Sequence, residues 1–191
     1  MSKSAIILPA MLCVLSVRAA DQMALARLFG DGAVLQRGKE VPVWGWTAPN
    51  TKVCGRIAGI EVWEGVGNDG KFTLRFPSQK AGGPYELVVS NAVTGATAIS
   101  RDIMIGEVWL ASGQSNMQMP VESWRAARIN QDDINNASIY ADVRLLQISR
   151  ATGMVEHDYF SADFDKWKES SPETVRNFSA AGWYFGRKLY E

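Results

Sequence analysis

Gly106-Glu107-Val108-Trp109-Leu110-Ala111-Ser112-Gly113-Gln114-Ser115-Asn116-Met117 runs from an apolar segment straight into a small, polar turn carrying Ser115. The continuous apolar stretch Glu107 to Ala111 predicts a strand of the kind buried in parallel sheets. A strand ending in such a turn can present a hydroxyl at a sheet edge, which is how a serine nucleophile is displayed. Downstream, Val143-Arg144-Leu145-Leu146-Gln147-Ile148 predicts a second strand of the same type. Between the two lies a polar stretch, Glu122 to Ala141, with Asp132-Asp133 and Asn135-Asn136. Phe178 to Tyr190 places Ala181, Tyr184, Phe185 and Leu189 at helical spacing, with Asn177 or Ser179 positioned to cap the helix. Strand, turn, crossover, strand and helix imply the opening part of an α/β layered structure from residue 103 onward.

Upstream, from Leu28 to about Ser100, the pattern is β. Val41-Pro42-Val43-Trp44-Gly45-Trp46, Lys52 to Ile57, Ile60 to Val66 and Lys71 to Phe76 alternate, with Asn68-Asp69-Gly70 predicting a hairpin turn between the last two. Gly82-Gly83-Pro84 leads into Tyr85-Glu86-Leu87-Val88-Val89, and Val93-Thr94-Gly95 turns the chain into Ala96 to Ile99. Short strands at this spacing predict a β-sandwich over residues 20–102 rather than a barrel with helices. Trp44, Trp46 and Trp63 could form a sugar-stacking platform; alternating tryptophans in a small sandwich more often fill its core.

Residues 1–19 read as an export signal, with Lys3 ahead of an apolar run from Ala5 to Val17 and small residues up to Ala19. That run is too short for a membrane span of roughly 20 residues. The pattern predicts a secreted or periplasmic bacterial protein with no membrane anchor once the signal is removed. Lysine plus arginine and aspartate plus glutamate number 20 each, and losing Lys3 and Arg18 leaves 18 against 20, a net −2. Such a balance gives no electrostatic case for a nucleic-acid partner. After the signal only Cys54 remains, which excludes an intrachain disulfide and a cysteine zinc site and suits a buried strand position. Oligomeric state is not written in the pattern.

Gly113-Gln114-Ser115-Asn116-Met117 resembles the nucleophile block of the sialate O-acetylesterase-like branch of the SGNH hydrolases. Asp31-Gly32-Ala33-Val34-Leu35-Gln36-Arg37, Val41 to Trp46, the Asp69-Gly70 turn, Ala81-Gly82-Gly83-Pro84-Tyr85-Glu86-Leu87 and Phe178-Ser179-Ala180-Ala181 resemble the same family in order and spacing. The fold implied is a β-sandwich followed by the beginning of an α/β (SGNH, flavodoxin-like) hydrolase domain. The implied activity is hydrolysis of O-acetyl esters on sialic acids or other acetylated glycans, without metal or cofactor. Ser115 would attack the acetyl carbonyl to give an acetyl-enzyme, its hydroxyl proton taken by a histidine of suitable pKa. Its own backbone N–H would be one oxyanion donor, each such donor being worth roughly 3 to 4 kcal/mol.

The family carries that histidine in an Asp-x-x-His motif, and takes its further oxyanion donors from a glycine block and an asparagine block. None of the three occurs in these 191 residues. The chain therefore reads as an N-terminal portion of such an esterase, and alone is expected to show little turnover. Its single histidine, His157, lies between Glu156 and Asp158 and reads as a solvated loop residue. Gln114 and Asn116 flank the nucleophile and could bind substrate or hold the turn, with the turn role favoured for Asn116; Met117 and Met119 read as packing residues. Asp132-Asp133 reads as part of a solvated loop, since sequence neighbours do not face one another on a helix. The competing reading is a non-catalytic glycan-binding or structural module built on the sandwich. Nearer at hand is a xylan or polysaccharide acetylesterase of the same superfamily.

Overall fold

The computed structural model describes residues 22–123, 130–148 and 166–191. The signal read at 1–19 and His157 lie outside them. Up to Gly106 the chain forms eight strands: β1 (Ala24–Leu25), β2 (Val34–Gln36), β3 (Val41–Trp46), β4 (Lys52–Ile57), β5 (Ile60–Gly65), β6 (Lys71–Phe76), β7 (Gly82–Asn91) and β8 (Thr97–Gly106). They make two sheets, one ordered β1-β3-β6 and the other β2-β8-β7-β4-β5. All pairings are antiparallel except β2 with β8, which is parallel.

Alternation explains why these segments are strands and how the sheets face each other. In β6, Phe72, Leu74 and Phe76 are buried while Arg75 is exposed; in β4, Val53, Gly55 and Ile57 are buried while Arg56 is exposed. Val43 and the three β6 residues meet Val53, Ile57, Leu87, Val89 and Ile103 of the second sheet in a shared core. Each such side chain contributes about 1.5–3 kcal/mol by leaving water. Gly55 sets the closeness of approach, since a Cβ there would meet Leu74 Cδ1 at 2.6 Å and Phe76 Cζ at 2.8 Å.

Trp44 and Trp46 are half-buried and pack against this core, Trp44 edge-on to Phe29 with ring centroids 4.6 Å apart. Trp63, on the edge strand β5, is exposed, with the Lys52 ammonium over its ring at 5.0 Å. The three tryptophans therefore do not share one platform. Cys54 is buried, as read, and burial pushes its thiol pKa up. One expectation needs correction: Asn68-Asp69-Gly70 does not close a hairpin. Gly70 takes the left-handed conformation (φ 77°) and its carbonyl accepts from Thr47 N, so the turn passes the chain from one sheet to the other. Turn chemistry specifies a reversal, whereas the strands' partners are chosen by which apolar faces must meet.

After Gly106 the readings hold less well. Glu107 to Ala111 is not a strand; Val108, Trp109 and Leu110 are exposed, and Trp109 stacks edge-on against Phe185 at 5.3 Å. A parallel strand forms only where neighbouring strands offer ladder partners, and none does so among the described residues. Val143 to Ile148 shrinks to β9 (Arg144–Leu145), paired antiparallel with β10 (Lys168–Glu169). The helices are α1 (Ser115–Gln118), α2 (Gln131–Asn135), α3 (Pro172–Arg176) and α4 (Ala180–Tyr190). Ser171 caps α3 in a reciprocal pair with Thr174, and Ser179 caps α4 by accepting from Gly182 N at 3.1 Å. A second core gathers Val121, Ile134, Ala137, Leu145, Val175 and Trp183.

Asp133 also departs from its reading as a solvated residue. It sits in α2 and accepts from Tyr184 Oη at 2.8 Å and Arg187 Nη1 at 2.7 Å. The Arg187 guanidinium lies over the rings of Tyr184, Trp183 and Tyr140, at 5.1, 5.3 and 5.7 Å. Asp132 stays exposed, so the two neighbouring carboxylates do diverge. Between the two cores, the buried Arg144 guanidinium reaches Asp102 at 2.5 Å and Glu169 at 3.2 Å, while Trp167 Nε1 donates to Leu28 O at 2.8 Å. No helix among the described residues is long and apolar enough to cross a membrane.

Candidate active site

Ser115 occupies the first position of α1, a single helical turn. At that position the backbone N–H has no intrahelical partner. Gln114 precedes it as N-cap, working through its backbone: its carbonyl accepts from Met117 N at 2.9 Å and from Gln118 N at 3.3 Å, and its side chain makes no capping bond. A Cβ at Gly113 would come within 3.1 Å of Met117 Cβ, so the turn packs tightly where glycine stands.

The chain enters this turn from a junction with β2. Glu107 accepts from Arg37 Nε at 2.6 Å and Gln36 Nε2 at 2.8 Å, and Gln36 Oε1 accepts from Val108 N at 2.9 Å. The hydrogen bonds from Gln36 and Arg37 hold the Glu107 carboxyl below its ordinary pKa. Two separate sequence motifs, Val34 to Arg37 and Gly106 to Val108, thus join where the two-sheet region hands over to the serine turn.

On its other side the turn leans on the start of α4. Ser179 Oγ donates to Met117 O, Ala180 N donates to Met119 O at 2.9 Å, and Val121 N donates to Phe178 O at 3.1 Å. Glu122 N continues this ladder to Arg176 O at 3.0 Å, and the Glu122 carboxylate pairs with the Arg176 guanidinium.

An open cleft of about 620 Å³ lies against the turn. Ser115, Asn116, Gln118, Glu122, Gln147 and Asn177 contribute to its lining. Hydroxyl and carboxamide groups share the lining with Met119 and Pro120, a mixed surface whose donors and acceptors suit a polyhydroxylated ligand. Of the residues singled out from sequence, Ser115 and Asn116 line the cleft, while Gln114 stands beside it as the cap. Met119 is exposed and lines the cleft, rather than packing as expected. Gln118, Glu122, Gln147 and Asn177 were not anticipated. In the sequence Gln147 is hidden by its place in an apolar stretch, and Asn177 reads only as a possible helix cap. Such an exposed serine can take an acyl group from a bound ester once a base removes its proton.

No family model matches the chain. It is 33% identical over 120 residues to the sialate O-acetylesterases of Pongo abelii and of Homo sapiens, a match covering 59% of this chain. The chain spans 22% of the length of these relatives. A solved carbohydrate acetylesterase from Xanthomonas citri shares its fold with a TM-score of 0.79 at 30% identity, over 87% of this chain and 37% of that one. The resemblance read from the motifs is borne out: the chain is similar to part of a sialate O-acetylesterase.

Proposed function

We propose that the chain is part of a serine esterase that removes O-acetyl groups from carbohydrates, with Ser115 as nucleophile. The observation that carries this is the placement of Ser115: an exposed residue, at the first position of a braced helical turn, on the lining of an open cleft. Similarity to sialate O-acetylesterases and to a carbohydrate acetylesterase supports the reaction class. In this reading the acetyl carbonyl of an O-acetylated sialoside or related glycan enters the cleft and Ser115 Oγ attacks it. The sugar hydroxyl departs, and water releases acetate from the acetyl-enzyme. Asn116 would contact the sugar, Gln114 would hold the turn, and the Ser115 N–H would be one oxyanion donor.

No histidine stands among the described residues, the Glu122 carboxylate on the cleft is paired with Arg176, and the Asp-x-x-His element does not occur in the sequence. The reading therefore takes the histidine and the remaining oxyanion donors from chain beyond these residues. It also takes residues 20–102 as a sandwich domain, residues 103–191 as the opening of an SGNH-type esterase domain, and residues 1–19 as a secretion signal. The glycan-binding alternative is not favoured, because Trp44 and Trp46 pack against the core and leave Trp63 without partners for a platform.

Incubation with an activated acetyl ester, followed by peptide mass mapping, tests the nucleophile. The expected outcome is an acetyl adduct on the peptide containing Ser115, and loss of whatever turnover the protein has, by at least about a thousandfold, in Ser115→Ala. Turnover that survives that substitution sinks the mechanism.

A further inference from the structure

We infer that Ser179 is a positioning residue for Ser115, its hydroxyl clamping the turn that carries the nucleophile; the inference rests on the reading of Ser115 as that nucleophile. A single helical turn is too short to stabilise itself, and α1 lies on the surface with no buried residue. Its conformation must therefore be imposed from outside. Ser179 does this with one hydroxyl used in both directions. Its Oγ lone pair accepts from Gly182 N at 3.1 Å, fixing the start of α4, and its proton goes to Met117 O in the last turn of α1. Met117 Sδ lies 3.6 Å from the same Oγ.

The neighbouring bond from Ala180 N to Met119 O, at 2.9 Å, and the bridge between Pro120 and Ser179 extend the contact along the chain. Helix α4 is in turn anchored in the second core by the fully buried Trp183. The clamp thus ties the turn of an exposed reactive group, at Met117, to a rigid element 62 residues further along the sequence. Side chains that hold a reacting group in place act on the rate rather than on binding.

The two roles of the hydroxyl separate by substitution. Ser179→Asp keeps an N-capping acceptor for Gly182 N, but the ionised carboxylate has no proton to give to Met117 O. Ser179→Thr keeps both functions, and Ser179→Ala loses both. The measurement is amide hydrogen exchange at Met117 and Gln118 in each variant, with the α4 amides as the reference for a folded cap. It is paired with kcat and KM for p-nitrophenyl acetate on the complete natural chain.

Exchange at Met117 and Gln118 is expected to rise by about tenfold in the Asp and Ala variants, the loss expected for one hydrogen bond, and to stay at the parent rate in Thr. α4 stays protected in Asp, and kcat falls in step with the exchange while KM holds. Parent-like exchange at Met117 and Gln118 in the Asp variant overturns the clamp, as does an unchanged kcat in both Asp and Ala. Failure of the nucleophile reading shows separately, as turnover that persists in Ser115→Ala.

Discussion

Up to Gly106 the chain buries most of its apolar side chains between two sheets; in the segment just beyond it, from Val108 to Leu110, comparable side chains stand in the open. Val43, Leu74, Leu87 and Ile103 have no exposed surface, whereas Leu110 is 89% exposed and Trp109 61%. Composition does not account for this, since both stretches alternate or cluster apolar residues as structured segments do. The difference is in partners. Each strand of the two-sheet region finds a ladder neighbour within the same hundred residues, and β3, β4, β6, β7 and β8 also send side chains into the shared core. The segment from Glu107 has no ladder partner among the described residues; it is held by Gln36 and Arg37 at its start and by Trp109 against Phe185, and leads into a turn held by Ser179. A rigid part therefore delivers the chain to the serine, and a smaller second core holds the serine's turn from the far side.

This contrast breaks most directly at the shared core. Phe76→Ala removes a fully buried ring that packs over Gly55, and is expected to cost about 3–5 kcal/mol and to unfold both sheets together, read by urea denaturation. A smaller, local effect is expected from Trp183→Ala. It removes the largest side chain of the second core and its Nε1 bond to Ser170 Oγ at 3.0 Å. The expected cost is about 3 kcal/mol, seen as lost exchange protection in α2, α3 and α4 with the β4, β7 and β8 amides unchanged. If Trp183→Ala also lowers protection across those strands, the two cores fold as one unit and the comparison fails. Arg144, buried between Asp102 and Glu169, and Trp167, bonded to Leu28 O, are the contacts through which that coupling would run.

Much of the two-sheet region was legible because its information is local. The bounds of β3, β4 and β6 follow from alternation alone, and the Val93-Thr94-Gly95 turn does join β7 to β8. What alternation could not supply was the pairing. Asn68-Asp69-Gly70 carries the chemistry of a hairpin, yet β5 pairs with β4 and β6 with β3. The Ser115 turn was legible from its motif and α4 from its spacing, with Ser179 one of the two cap candidates, Asn177 being the other. The bond between them was not, because nothing local to Met117 says which distant hydroxyl will meet its carbonyl. Likewise Asp133 looked solvated because the groups that draw it in, Tyr184 and Arg187, lie 51 and 54 residues downstream.

The same pair offers the finest distinction between the regions, through pH. Burial would raise the Asp133 carboxyl, but hydrogen bonds from Tyr184 and Arg187 outweigh it and leave its pKa below the ordinary value. Burial and the bond to Asp133 push Tyr184 up to about 12. A depressed carboxylate contributes stability that is present above its unfolded pKa, near 4, and lost as pH falls through the folded value. A raised phenol contributes stability that is present below about 10 and lost as pH climbs from there through about 12. Exchange protection in α2 and α4 is therefore expected to fall at both extremes. Asp133→Asn should flatten the acid limb except for the part due to Glu191, whose carboxyl is lowered by bonds from Lys188 and Tyr140. Tyr184→Phe should flatten most of the alkaline limb and leave the part due to Tyr140, whose phenol is raised by donating to Glu191 at 3.1 Å. An alkaline limb of full size in Tyr184→Phe would mean that the Asp133 to Tyr184 bond does not help to hold the second core together, leaving the Arg187 to Asp133 pair and the buried Trp183 to anchor the helix that braces the serine turn.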